Sequence, residues 1–131
     1  MAFSMPIDVR FADLDALGHV NHAVFVTYLE HARTRWWRDY LAGRTFNDEG
    51  FLIARVEIDY RKPILLQDEV RVELRCSHVG HTSFSLAYKL LRAKDDVVLA
   101  EGQTVQVMMD FATQRPRAVR PQTQAWLKAQ A

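Results

Sequence analysis

The amino-acid sequence predicts an α+β fold in which one long helix packs against a curled antiparallel sheet of about five strands. Three observations lead to this prediction. One stretch has an apolar stripe with helical spacing, several later segments alternate apolar and polar residues, and short turn sequences join those segments. An antiparallel sheet of this kind buries one face, and the apolar helix is the element able to cover it.

Length and composition predict one domain over residues 1–131. The chain is 49% hydrophobic and 25% charged, which is an ordinary globular mixture. Its 17 basic and 16 acidic residues give a net charge of +1, so no overall field favours nucleic acid. No apolar run is long enough to predict a membrane-spanning segment, and no signal peptide is predicted in the first residues. The single cysteine, Cys76, excludes an internal disulfide and fits a cytoplasmic location.

The elements follow one another along the chain. Residues 5–11 alternate as a first strand, with Ile7, Val9 and Phe11 on its apolar face. A helix is predicted from Asn21, a good N-cap, to about residue 41. Four further strands are predicted at residues 52–60, 69–77, 83–91 and 97–110, and a short terminal helix at residues 121–131.

An open antiparallel sheet leaves two unpaired edges. Proteins commonly protect such edges by pairing them with another strand. We therefore expect a homodimer formed through sheet edges, or a homotetramer made of two such dimers.

Two carboxylates, Asp13 and Asp15, stand just before the long helix. Aspartates in such places usually cap the helix or interact with its dipole. Alternatively, one of them acts on a substrate held at the helix start, where the free backbone N–H groups around residues 21–23 form a site for an oxyanion. Both interpretations stay open on these residues alone.

The spacing of certain residues between positions 11 and 33 resembles the pattern of a known family. The pattern is formed by Phe11, Asp15, Gly18, Val20, Phe25, Tyr28, Glu30 and Arg33. Later matches are Tyr60, Pro63 and Asp68, the turn at residues 80–84, and the ending with Asp110, Arg115 and Pro116. Together they resemble the hotdog-fold thioesterase superfamily, in its 4-hydroxybenzoyl-CoA and acyl-CoA thioesterase branch.

The resemblance implies a hotdog fold and hydrolysis of acyl-CoA thioesters to a free acid and coenzyme A. Asp15 then matches the catalytic aspartate, acting as nucleophile or general base. The backbone amide of His22 matches the group that polarises the thioester carbonyl, with the amides of Asn21 and Ala23 beside it. No cofactor is implied, because coenzyme A belongs to the substrate.

Other residues are assigned less specific roles. Arg61 and Lys62 fall where relatives place basic residues near coenzyme A phosphates, and Arg115 and Arg117 are further candidates by charge. Asn21, Phe25 and Tyr28 are predicted to line the substrate pocket, although core packing explains the two aromatic residues equally well.

His19 is a further catalytic candidate. Plant acyl-carrier-protein thioesterases, a related branch, carry D-x-N-x-H in this loop, and Asp15 and His19 match it while Leu17 replaces the asparagine. The alternative is a loop histidine bonded to backbone. No metal site is predicted, since two histidines at positions 19 and 22 do not complete a tetrahedral site.

Two other functions compete with acyl-CoA hydrolysis. The thioester donor is an acyl carrier protein in one of them, and an acidic carrier would suit the same basic residues. In the other, the chain is an acyl-CoA binding module without turnover. Parallel thiol-release assays on coenzyme A and carrier-protein donors separate the two enzymes, and binding without product release indicates the binding module.

Overall fold

The long helix α1 (His22–Leu41) lies against one antiparallel sheet in the computed structural model, which describes residues 3–131. The strands are β1 (Phe3–Ile7), β2 (Phe51–Tyr60), β3 (Val70–Val79), β4 (Ser83–Arg92), β5 (Val97–Asp110) and β6 (Arg115–Pro116). A short helix α2 (Pro121–Lys128) follows them. The strand order is β1-β3-β4-β5-β2, with β6 beside β5. The predicted α+β arrangement of one long helix and about five main strands is confirmed.

The ends of α1 are set by local chemistry. The Asn21 side chain accepts a hydrogen bond of 2.9 Å from the amide of Ala23, which makes Asn21 the predicted N-cap. The helix ends where Ala42 and Gly43 take positive φ angles of 50° and 94°. None of the helices in residues 3–131 is long and apolar enough to cross a membrane.

The core lies between α1 and the inner face of the sheet. Apolar side chains alternate inward along β3 and β4, and Cys76 is buried among them. Aromatic rings fill the end near α2, where Trp37 stacks on Phe84 at 5.5 Å between ring centroids. Gly102 allows β2 to approach β5 closely, because an added Cβ would lie 2.6 Å from the Glu57 carbonyl oxygen.

The first strand ends earlier than predicted. Strand β1 stops at Ile7, and Phe11 opens a 3-10 turn with 81% of its surface exposed. The physical reason is the side chain of Asp13, which accepts hydrogen bonds from both the amide and the guanidinium of Arg10. These bonds bend the chain, so the alternation of residues 7, 9 and 11 does not continue as a strand.

Strand β2 forms one edge of the sheet and is poorly covered. Its inward-facing apolar residues, named here the β2 inner face, are Ile53, Val56, Ile58 and Tyr60, paired in register with β5. Val56 lies opposite the buried Thr104, so both side chains point to the helix side. Val56 is nevertheless 42% exposed. Helix α1 therefore covers the centre of the sheet and leaves this edge open.

A buried carboxylate fastens the end of the chain. Glu49 is fully buried and accepts hydrogen bonds from Arg117 (3.0 Å), Arg120 (3.0 Å) and the Thr123 hydroxyl (3.1 Å). We call these four residues the C-terminal clamp. It joins the loop before β2 to α2 and to the segment that precedes it.

Candidate active site

The loop between Asp13 and Asn21 is a tight reversal that places Asp15 in front of the helix. The amide of Asp15 donates to the carbonyl of His19 at 2.8 Å, and the amide of Gly18 donates back to the carbonyl of Asp15 at 3.1 Å. Gly18 has a φ of 79°, a conformation that glycine adopts without steric cost. The reversal is thus closed by main-chain bonds.

Neighbouring segments hold this loop in place. The amide of Val20 donates to the carbonyl of Ile64 at 2.8 Å, and His19 forms a bridge with Leu65. The amide of Asn21 donates to the carbonyl of Asp13 at 2.9 Å. The loop is therefore tied both to the segment after β2 and to its own beginning.

The carboxylate of Asp15 is held by one oxygen. Its Oδ1 accepts hydrogen bonds from the amides of Leu17 (2.9 Å) and His19 (3.3 Å). Its Oδ2 accepts no hydrogen bond from any residue between positions 3 and 131, and the side chain is exposed. The carboxylate is therefore oriented while one of its oxygens stays open to a ligand.

The start of α1 offers one open amide rather than three. The amides of Asn21 and Ala23 are already bonded, to the Asp13 carbonyl and to the Asn21 side chain respectively. The amide of His22 has no hydrogen-bond acceptor among the described residues 3–131. The expectation that Asn21 and Ala23 supply neighbouring free amides is therefore wrong, because the loop carbonyl of Asp13 and the N-cap side chain already accept their hydrogen bonds.

Tyr60 closes the site from the side of β2. Its hydroxyl donates a hydrogen bond of 2.8 Å to the carbonyl oxygen of His22. Its ring meets that of Phe25 edge to face, with 4.9 Å between centroids, and that of His22 at 6.3 Å. Partial burial raises the pKa of the Tyr60 phenol above its ordinary value, so the hydroxyl stays protonated and able to donate.

These groups surround an open depression of about 370 Å³, named here the site depression. Its walls are Asp15, His19, Val20, His22, Phe25 and residues 60–63. The structure thus brings together six residues singled out in the sequence: Asp15, His19, His22, Phe25, Arg61 and Lys62. Asn21 stands beside the depression as the helix cap and does not form part of its wall.

Tyr28, predicted for the substrate pocket, lies elsewhere in this chain. It is 3% exposed, and its hydroxyl donates a hydrogen bond of 2.7 Å to Asp13. Burial alone would raise the pKa of the Asp13 carboxyl, but the hydrogen bonds from Arg10 and Tyr28 outweigh it and hold that pKa below its usual value. Asp13 and Tyr28 support the loop rather than line the depression.

The basic residues divide into two groups. Arg61 reaches the carboxylate of Glu101 at 3.3 Å, while Lys62 is exposed and forms no ion pair within residues 3–131. Arg117, a candidate by charge, belongs to the C-terminal clamp instead. Lys62 is therefore the basic side chain at the depression that stands ready for an anionic group.

His19 is half-buried in the wall of the depression. Its hydrogen bonds to residues 3–131 all run through its main chain, which leaves both ring nitrogens open. Within the same range, no cluster of three or more His, Cys, Asp or Glu side chains is arranged to hold a metal ion.

Three wall residues, Val20, Tyr60 and Pro63, were not assigned to the site from the sequence. For the last two the signal was present, because both belong to the Y-x-x-P pattern at the end of β2. Their distance of more than forty positions from Asp15 concealed the link, since only the fold shows that the end of β2 reaches the start of α1.

The model of the thioesterase-like superfamily matches residues 9–127. A thioesterase from Thermus thermophilus, solved in complex with coenzyme A and Zn, is 36% identical, with a TM-score of 0.83 and coverage of 96% of this chain and 92% of that one. The chain therefore belongs to the thioesterase-like superfamily, the class that the hotdog resemblance predicted.

Two further relatives agree. The acyl-CoA thioester hydrolase YbgC of Escherichia coli O6:H1 is 27% identical over 124 residues, which cover 89% of each chain. The structure of a predicted thioesterase from Bacillus stearothermophilus has a TM-score of 0.92 and covers 100% of this chain and 97% of that one. At 24% identity, this second likeness shows the fold alone.

Proposed function

We propose that this protein is an acyl-CoA thioesterase that hydrolyses its substrate in the site depression. One observation carries the proposal: an oriented carboxylate, Asp15, and an unbonded helix-start amide, that of His22, line the same depression. Membership of the thioesterase-like superfamily and similarity to YbgC and to the coenzyme A complex support this substrate class.

The amide of His22 polarises the thioester carbonyl. Developing negative charge on the carbonyl oxygen is stabilised by a fixed N–H donor and by the positive end of the helix dipole. A donor of this kind typically contributes about 3 kcal/mol to transition-state stabilisation. Because the amides of residues 21 and 23 are bonded elsewhere, the His22 amide carries this role in the present chain.

Asp15 supplies the second half of the chemistry through its open oxygen Oδ2. As a nucleophile, it attacks the thioester carbon, coenzyme A leaves as a thiolate, and water cleaves the resulting anhydride. As a general base, it takes a proton from a water molecule that attacks the same carbon directly. Both routes yield the free acid and coenzyme A. His19, with its open ring nitrogens, is a further candidate to accept or deliver that proton.

Coenzyme A approaches from the side of residues 61 and 62. Lys62 is exposed and unpaired within the described part of the chain, so its ammonium is available to a phosphate. Arg61 is shared with Glu101 and Asp59, and a phosphate would have to compete with both carboxylates. We therefore assign Lys62 the larger share of phosphate binding.

The acyl group of the bound substrate extends from the site depression along the β2 inner face. Phe25 and Tyr60 stand at the start of this strip, and Val56 and Ile53 continue it. These side chains are partly exposed in one chain, so a second copy paired along β2 would turn the strip into a closed groove. A homodimer through β2 is thus part of the proposal.

The test is thiol release from a panel of acyl-CoA esters by the wild type and by Asp15→Asn. We expect the variant to fold normally and to lose at least about a hundredfold in kcat, because it cannot act as nucleophile or base. Asp13→Asn is not a suitable control, since it disturbs the fold. Asp8→Asn, a change at an exposed aspartate outside the site depression, serves instead and keeps its activity.

Other outcomes identify the competing functions. Release from acyl carrier protein but not from coenzyme A esters would assign the carrier as donor. Binding of acyl-CoA without release of thiol would assign a binding module. An Asp15→Asn variant with wild-type kcat would overturn the catalytic role of Asp15.

A further inference from the structure

The hydroxyl of Tyr60 makes an unusual connection between the sheet edge and the helix start. It donates to the carbonyl oxygen of His22, the first residue of α1, over 2.8 Å. That carbonyl already lies at the start of the helical hydrogen-bond series, so the phenol adds a second donor to it. The bond spans 38 positions of sequence and joins α1 to β2. The two elements also meet through Phe25 and Tyr60 at this end, and through Trp37 and Phe51 farther along.

The position of this bond matters because His22 offers the one open amide of the helix start within residues 3–131. The N–H and the carbonyl of His22 belong to two peptide units that φ and ψ of His22 join, so a bond that fixes the carbonyl also limits rotation of the N–H. The Asn21 carbonyl, which shares a peptide unit with the His22 N–H, accepts a hydrogen bond from the Val24 amide at 2.9 Å. Tyr60 adds a bond on the other side of the His22 Cα and so restricts the remaining freedom of that N–H.

We infer that Tyr60 is a positioning residue, which aligns the His22 amide with the thioester oxygen through its hydrogen bond to the His22 carbonyl. The inference rests on the proposed function for its catalytic consequence. Tyr60 acts through His22 and donates nothing to the substrate itself. A small misalignment of a donor lowers the rate of the chemical step more than it lowers substrate binding.

The experiment compares Tyr60→Phe with the matched control Tyr40→Phe. Each change removes one hydroxyl and keeps the ring, and the Tyr40 hydroxyl bonds Thr123 at 2.7 Å, near the other end of α1. Light scattering first verifies that both variants keep the assembly state of the wild type. We expect Tyr60→Phe to lower kcat by about tenfold with KM within about twofold, and Tyr40→Phe to leave both unchanged.

A second readout needs no turnover. The chain contains five histidines, so labelling with ¹⁵N-histidine gives five backbone amide signals, and His22→Gln identifies one of them. We expect the His22 signal to move in Tyr60→Phe beyond any change in Tyr40→Phe.

The two readouts distinguish a failure of the proposed function from a failure of the inference about Tyr60. If the wild type releases no thiol from any donor, the proposed function fails, while the His22 signal still decides whether Tyr60 orients that amide. If the wild type is active and Tyr60→Phe keeps both its kcat and the His22 signal, the inference is overturned and the proposed function stands.

Discussion

The Tyr28 hydroxyl donates a hydrogen bond of 2.7 Å to Asp13, and this bond joins α1 to the loop that carries Asp15. Asp13 is 1% exposed and receives further hydrogen bonds from Arg10. A carboxylate two positions from the catalytic candidate is therefore a structural support.

Removing either partner of this hydrogen bond should lower the free energy of unfolding, and the loss should be larger when more polar groups are left without a hydrogen bond. We expect Tyr28→Phe to lower the free energy of unfolding by about 1 kcal/mol and Asp13→Asn by about 2–3 kcal/mol, because the second change loses an ionised acceptor of several bonds. Urea unfolding at pH 7 measures both. Equal and negligible losses would show that the loop is held by its main-chain bonds alone.

The same carboxylate predicts an acid-dependent loss of stability. The pKa of Asp13 is lower in the folded protein than its ordinary value, so its ionised form stabilises the fold. This contribution is complete above the unfolded pKa of about 3.9 and is lost as the pH falls below it and through the folded pKa. Unfolding curves between pH 6 and pH 2.5 should show a shallower fall for Asp13→Asn than for the wild type, and parallel curves would contradict the prediction.

The buried ion pairs of the C-terminal clamp should contribute more to the free energy of unfolding than the exposed ion pairs do. Glu49→Gln leaves Arg117 and Arg120 without their buried carboxylate, and we expect a loss of about 3 kcal/mol. The control is Glu57→Gln, which breaks an exposed pair with Arg55 and should cost under about 0.5 kcal/mol. Thermal unfolding of both variants measures the two losses of stability. Similar losses would show that burial does not determine how much an ion pair contributes to stability.

The open edge predicts how copies assemble. Val56→Glu places a charge on the β2 inner face, which a second copy paired along β2 would cover, so we expect monomers in sedimentation velocity. Leu66→Glu alters another exposed apolar residue, in the loop before β3, and should leave the assembly unchanged. A wild type that is monomeric at micromolar concentration would show that β2 does not pair.

The sequence predicted the elements because their signals are local. Apolar spacing located α1 and strands β2 to β5 nearly to the residue, and Asn21 marked the helix start. The strand prediction failed at Phe11, where the bonds between Arg10 and Asp13 compete with the alternating pattern. Short-range hydrogen bonding by an aspartate side chain is not visible in hydrophobic spacing.

The finer features of the site depend on contacts over long distances in sequence. The occupied amides of residues 21 and 23 follow from one side-chain rotamer and one main-chain bond, neither of which a motif specifies. Arg117 was a candidate by its charge, and its ion pair was not foreseen because its partner, Glu49, lies 68 positions earlier in the chain. Tyr60 was missed for the same reason.

The C-terminal clamp also has a consequence for how the chain is made. Glu49 leaves the ribosome about seventy residues before Arg117, Arg120 and Thr123, and β2 must likewise wait for β5. Until then, α1 and the first strands have neither the clamp nor the ring of Trp126 to cover their aromatic end. During synthesis, the bonds of the C-terminal clamp and the packing on Trp126 therefore form only after residues 117–126 have been made.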